Sequence, residues 1–109
     1  MFDWVKEFPC AVTVCDTDGV VLYQNQKSEA TFSAYGSFVG KNLKDCHQPQ
    51  SWATIQRLLA ENVSNVYTIE KAGVKKLIYQ TPWYSNGKVM GLVELSVELP
   101  NEVPNYVRG

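Results

Sequence analysis

His47 is the only histidine in the chain, and it directly follows Cys46. Imidazole is a common axial ligand of haem iron and titrates near neutral pH, so this residue could hold a haem or sense protons. The competing reading has Cys46 and His47 shape their own loop through bonds to nearby backbone. That structural reading is preferred, and haem is the lesser alternative. A protein-only zinc site needs about four N or S ligands, and the chain offers Cys10, Cys15, Cys46 and His47. Adjacent side chains do not readily turn into one site, so no metal site is expected. Neither Cys10 nor Cys15 has a neighbouring cation to lower its pKa, and both read as small packing residues. Asp16-Thr17-Asp18-Gly19 superficially resembles a calcium loop. With Gly19 at its sixth position, however, Val14 and Asn25 occupy the first and twelfth positions, where carboxylates are required. No Ser-His-Asp arrangement or phosphate-cradling glycine loop is present, so the chain reads as non-catalytic.

The elements that would carry these residues fit one domain. The chain has 109 residues, 45% of them hydrophobic, enough for one core and too few for two. Ten basic residues against 11 acidic ones leave no positive field for a nucleic-acid backbone. No apolar run approaches the roughly 20 residues that span a bilayer, and Asp3, Lys6 and Glu7 interrupt any signal-peptide core. Three cysteines without a C-x-x-C pair suit a reducing compartment. The expectation is a cytoplasmic protein with neither a nucleic-acid nor a membrane partner.

Phe2, Val5 and Phe8 recur at near-helical spacing before Pro9, which predicts a short N-terminal helix. Residues 11–15 and 20–24 form a predicted hairpin around the Asp16–Gly19 turn. Short helical stretches are expected at 27–32 and 43–46. After Pro49, Ser51 is the expected N-cap of a longer helix whose apolar face carries Trp52, Ile55, Leu58 and Leu59. From Val63 the period becomes two, with strands at 66–71, 74–84 and 88–99 joined at Ala72-Gly73 and Asn86-Gly87. The resulting class is α+β, a five-stranded antiparallel sheet with helices across one face. In domain terms, residues 1–9 are a helical cap, 10–99 the core and 100–109 a tail. Pro100 and Pro104 keep that tail extended, and Tyr106 and Val107 are its expected anchors on the domain.

With this order of elements, the chain resembles the PAS family over residues 8 to 99. The resemblance rests on Phe8-Pro9, the Asp16-Thr17-Asp18-Gly19 turn, Tyr23-Gln24-Asn25, Gly40-Lys41-Asn42-Leu43 and Gly91-Leu92-Val93-Glu94. The run Gly40 to Pro49 is similar to small free-standing bacterial PAS proteins with Cys-His, usually followed by Pro, before the long helix; Gln48 departs from that proline. The resemblance implies the PAS fold and a sensory, signal-relaying role. Flavin-binding members carry Asn-Cys-Arg where this chain has Asp45-Cys46-His47, so flavin is not expected and the cofactor is left unknown.

The family layout implies a pocket between sheet and helices. His47, Trp52, Ile55, Leu59, Ile78, Gln80, Val93 and Leu95 would line it, with Gln80 or His47 as polar handle for a small, mostly apolar ligand. Leu77, Tyr79, Met90 and Leu92 would then lie on the reverse face. Phe2, Trp4, Val5 and Phe8 would cover them, within one subunit or across a homodimer. Two function classes stand: a sensor binding a small ligand or a signalling protein partner, and a ligand-free module that only dimerises or pairs.

Overall fold

The computed structural model describes residues 2–31, 36–45 and 48–109. The order is β1 (Ala11–Asp16), β2 (Val21–Gln24), α1 (Gln26–Thr31), a 3-10 turn (Leu43–Asp45), α2 (Pro49–Glu61), β3 (Asn65–Lys71), β4 (Val74–Ser85) and β5 (Lys88–Leu99). All five strands join one antiparallel sheet in the order β2-β1-β5-β4-β3. The expected class and topology hold: a hairpin at one edge, a meander at the other, and helices between them in sequence.

The local reasons are the turn residues. Asp16 accepts from the amides of Asp18 and Val20, both at 2.9 Å, through one carboxylate oxygen, closing the first turn. Gly19 sits there at φ +88, and a Cβ would lie 2.4 Å from the Trp52 ring, so the turn also seats α2. Ala72-Gly73 and Asn86-Gly87 both have positive φ at both residues, as two-residue hairpin turns require.

Helix α2 begins two residues before the expected Ser51 cap. Gln48 is its N-cap, without a side-chain bond, and Pro49 follows inside the first turn. Proline suits that place because its missing N–H has no helical partner there. The helix ends at Asn62, whose left-handed backbone (φ 57) lets its N–H donate to the Leu58 carbonyl.

The expected N-terminal helix is not formed. Residues 2–9 make bends and one turn, in which the Phe8 amide donates to the Val5 carbonyl at 3.2 Å. The side chain of Asn25, 1% exposed, accounts for this path. Its amide donates to the carbonyls of Val5 (3.0 Å), Phe8 (3.4 Å) and Cys10 (2.8 Å), while its Oδ1 accepts from the amides of Val12 (2.9 Å) and Ser28 (3.0 Å). One side chain thus ties the N-terminal segment to β1 and caps α1. From Pro100 onward the tail forms a bend at 101–102 and no regular element. Its proposed anchors, though, are free of the domain, with Tyr106 72% and Val107 94% exposed.

The apolar core lies toward one end of the sheet. Cys15, Val21, Phe38, Leu43, Ile55, Leu58 and Leu92 pack together, with Trp52 and Leu59 against them. The two edges of the sheet differ. At the start of β2, Val21 accepts from Gly40 and donates to Lys41, whereas β3 is exposed along nearly its whole length.

Candidate functional site

In antiparallel strands, directly paired residues share a face. Val21, Cys15, Leu92 and Pro82 form one row through the core cluster. Two residues along β1, β5 and β4, and three along β2 where its register with β1 shifts, the next row on the same face reads Gln24, Thr13, Glu94, Gln80 and Asn65. It crosses all five strands and is polar throughout.

This register corrects half of the expected pocket. Ile78 and Gln80 face the helices, and Leu77 and Tyr79 the reverse side, as expected. The partners of Ile78 and Gln80 on β5, however, are Ser96 and Glu94, while Val93 and Leu95 pair with Thr81 and Tyr79 on the reverse face. Leu92, expected on that reverse face, is 3% exposed in the core. The cause is a bulge between Trp83 and Tyr84: Tyr84 pairs with Val89 and Trp83 with Gly91, so Met90 is an extra residue. A strict period of two carried through Met90 inverts every later side chain.

The polar row is bonded at both ends. Gln24 Nε2 donates to Ser28 Oγ (3.0 Å), which lies 2.6 Å from Thr13 Oγ1, and Gln24 Oε1 accepts from the Phe38 amide at 2.7 Å. At the other end, Asn65 Nδ2 donates to Gln80 Oε1 and Gln80 Nε2 donates to Glu94 Oε2, each at 3.1 Å. Above that end lies a cavity of about 210 Å³, lined by Ser51 and Thr54 of α2 with Asn65, Tyr67, Gln80 and Glu94 of the sheet. Burial first, and then the charge of Glu94, hold the Tyr67 phenol above its ordinary value. An adjoining space of about 150 Å³ reaches Ile78, Ser96 and Thr31 across Glu94.

The residues expected to form one apolar chamber are therefore dispersed. Gln80 lines the polar cavity and Ile78 its neighbour; Ile55 is buried in the core. Trp52 and Leu59 border a separate open cleft of about 580 Å³ with Gln56 and Val89. His47, the other expected handle, lies outside the described residues, as does Cys46. Ser51, Thr54, Asn65, Tyr67 and Glu94 were missed. The available signal was the polar alternation Glu94, Ser96, Glu98 in β5, which points to the cavity once the bulge is placed; Ser51 and Thr54 on α2 had none.

On the reverse face, rows such as Val12, Leu95, Tyr79 and Val66 are largely apolar. Val12 in that row is buried (6% exposed), whereas Phe2 (82%) and Trp4 (60%) are largely exposed, and Trp4 meets Phe8 edge-on at 5.3 Å. Among the described residues no cluster of His, Cys, Asp and Glu could hold a metal ion, and no helix is long and apolar enough to cross a membrane.

None of the curated proteins compared with the chain matches it. Solved structures do. The PAS domain of the histidine kinase ThkA superposes with a TM-score of 0.65 at 16% identity, covering 81% of this chain and 97% of that one. A sensory box sensor histidine kinase from Vibrio cholerae gives 0.63 at 15% identity, covering 88% and 86%. The Vibrio cholerae VqmA dimer in the absence of target DNA gives 0.68 at 16% identity; the match covers 90% of this chain and 49% of VqmA. These likenesses show a shared fold. The family model described as the PAS fold matches residues 5–103, nearly the whole chain, and the chain belongs to the PAS family.

Proposed function

We propose that the chain is a non-catalytic sensory module that takes up a small ligand between α2 and the sheet and relays its occupancy to a protein partner. The observation that carries this reading is the polar row ending at Glu94, Gln80 and Asn65 beneath an open cavity of about 210 Å³. A domain of this size fills its interior closely, so a space lined by bonded polar groups is better suited to a ligand than to packing. The lining also argues against the mostly apolar ligand expected from the sequence. Proteins of similar fold agree in kind: several are sensor histidine kinases, and one is VqmA bound to DPO.

The second reading, a ligand-free module that pairs with itself, draws on the reverse face. Val93, Leu95, Val97 and Leu77 lie there at intermediate exposure beside Tyr79, while Phe2 and Trp4 of the same chain stand largely exposed. A second copy meeting this face about a twofold axis would bury it. Dimerisation and sensing are compatible, and the dimer is the proposed route of relay.

Native mass spectrometry of protein purified without added ligand tests both. The expected spectrum is a dimer retaining a small molecule in a ratio of one per subunit. A dimer of bare chains that no metabolite extract shifts would leave only the pairing module. A monomer at high micromolar concentration would remove the dimer.

A further inference from the structure

The bonds around Glu94 set the chemistry of the missing partner. A carboxylate only accepts, so Gln80 must turn its Nε2 toward Glu94, which leaves its Oε1 to accept from Asn65. Donation therefore runs one way, from β3 to β5, and stops at Glu94. A carboxylate can accept about four hydrogen bonds, and Gln80 supplies one. No lysine or arginine among the described residues forms an ion pair with Glu94; Lys71 and Lys76 line the adjoining space, which Glu94 also borders, but not the cavity itself. Thr54 adds to the imbalance, since its hydroxyl proton already goes to the Gln50 carbonyl at 3.0 Å and only lone pairs remain. Tyr67 and Ser51 contribute hydroxyls, and Asn65 and Gln80 each have a second N–H, so the unmet demand for donors centres on the Glu94 carboxylate.

A ligand that completes this site must bring donors and positive charge. A carboxylate or phosphate in this cavity would meet Glu94 with no cation in the lining to offset the repulsion. At about 210 Å³ the cavity is below the usual range for drug-sized ligands, so the guest is a single ring or a short chain. We infer that the site recognises a small organic cation, an ammonium or amidinium compound, with Glu94 as its anchor. This rests on the ligand-binding reading above.

Three probes that share a phenol ring separate the alternatives: tyramine (ammonium), 4-ethylphenol (neutral) and 4-hydroxyphenylacetate (anion). Each is titrated into the ¹⁵N-labelled full chain and followed by amide shifts. Tyramine is expected to shift the signals of Thr54, Tyr67, Gln80 and Glu94 and to bind about tenfold more tightly than the other two, a preference that Glu94→Gln removes. If all three shift these signals with equal affinity, the cation inference is wrong and the cavity remains a ligand site. If none shifts them at millimolar concentration, the inference and the cavity reading both fall. Should Glu94→Gln fail to fold, the ranking of the probes on the unaltered chain decides alone.

Discussion

The indole N–H of Trp83 on β4 donates to the carbonyl of Cys15 on β1 at 3.0 Å, although β5 lies between the two strands. The reach is open because Trp83 pairs with Gly91, and Gly91 in turn pairs with Asp16. At φ +154, a Cβ on Gly91 would lie 1.8 Å from that same carbonyl oxygen. The glycine clears the space in which β4 and β1 are joined.

Gly91→Ala is therefore expected to destabilise the fold by about 3 kcal/mol, since both the clash and the backbone conformation oppose any side chain. Trp83→Phe, which loses the hydrogen bond and part of the ring but leaves the backbone unstrained, should cost less, about 1–2 kcal/mol. Urea denaturation of the two variants checks the order. Equal losses would show that the close approach at Gly91 is unimportant.

Asn25→Asp keeps the acceptor for Val12 and Ser28 but removes both donors to the carbonyls of Val5, Phe8 and Cys10. The expected result is a loss of about 2 kcal/mol with residues 2–9 released from the sheet. Amide exchange distinguishes this from general unfolding. Faster exchange should be confined to the N-terminal segment and the start of α1.

Charges on β5 discriminate its two faces. Leu92→Glu places a carboxylate in the core and should abolish folding, at a cost of about 4 kcal/mol or more. Leu95→Glu on the reverse face should leave a folded chain that sediments as a monomer. A folded Leu92→Glu variant would contradict the register described here.

Cys15 is 1% exposed, and burial, above all, raises its thiol pKa from the ordinary 9.0. The charges of Asp16 and Glu94 raise it further, against a lowering bond from the Leu92 backbone. The folded chain thus holds this proton more tightly than the unfolded one. Its contribution to stability is intact below the unfolded value and is lost as pH rises through the folded value. Cys15→Ala should flatten the decline in stability above pH 9. In the native protein at neutral pH, iodoacetamide should modify Cys10 well before Cys15.

The strands and their order were legible because turn chemistry is local: Asp16 to Gly19 and Asn86-Gly87 announce reversals with their own side chains and backbone freedom. The site was not, because the face that each β5 residue presents depends on a bulge set by pairing with β4. No local property of Met90 marks it as the extra residue, and the apolar run Val93, Leu95, Val97 and Leu99 reads as interior beside the polar alternation of Glu94, Ser96 and Glu98. The N-terminal helix failed for a related reason. Its spacing was suitable, but the Val5 and Phe8 carbonyls are taken by Asn25, a residue some 17 to 20 positions away.

The unequal edges of the sheet govern how copies of this chain could join strand to strand. β2 is four residues long and Val21 already has partners for both its backbone groups, whereas β3 offers seven residues. Two chains meeting edge to edge through β3 would make one ten-stranded sheet, bounded on both sides by β2. Each chain has a single long edge to give, so that union consumes both and leaves no growing end. The asymmetry acts as a chain terminator, limiting accidental sheet extension to a pair and denying it the repeating contact that a fibre requires.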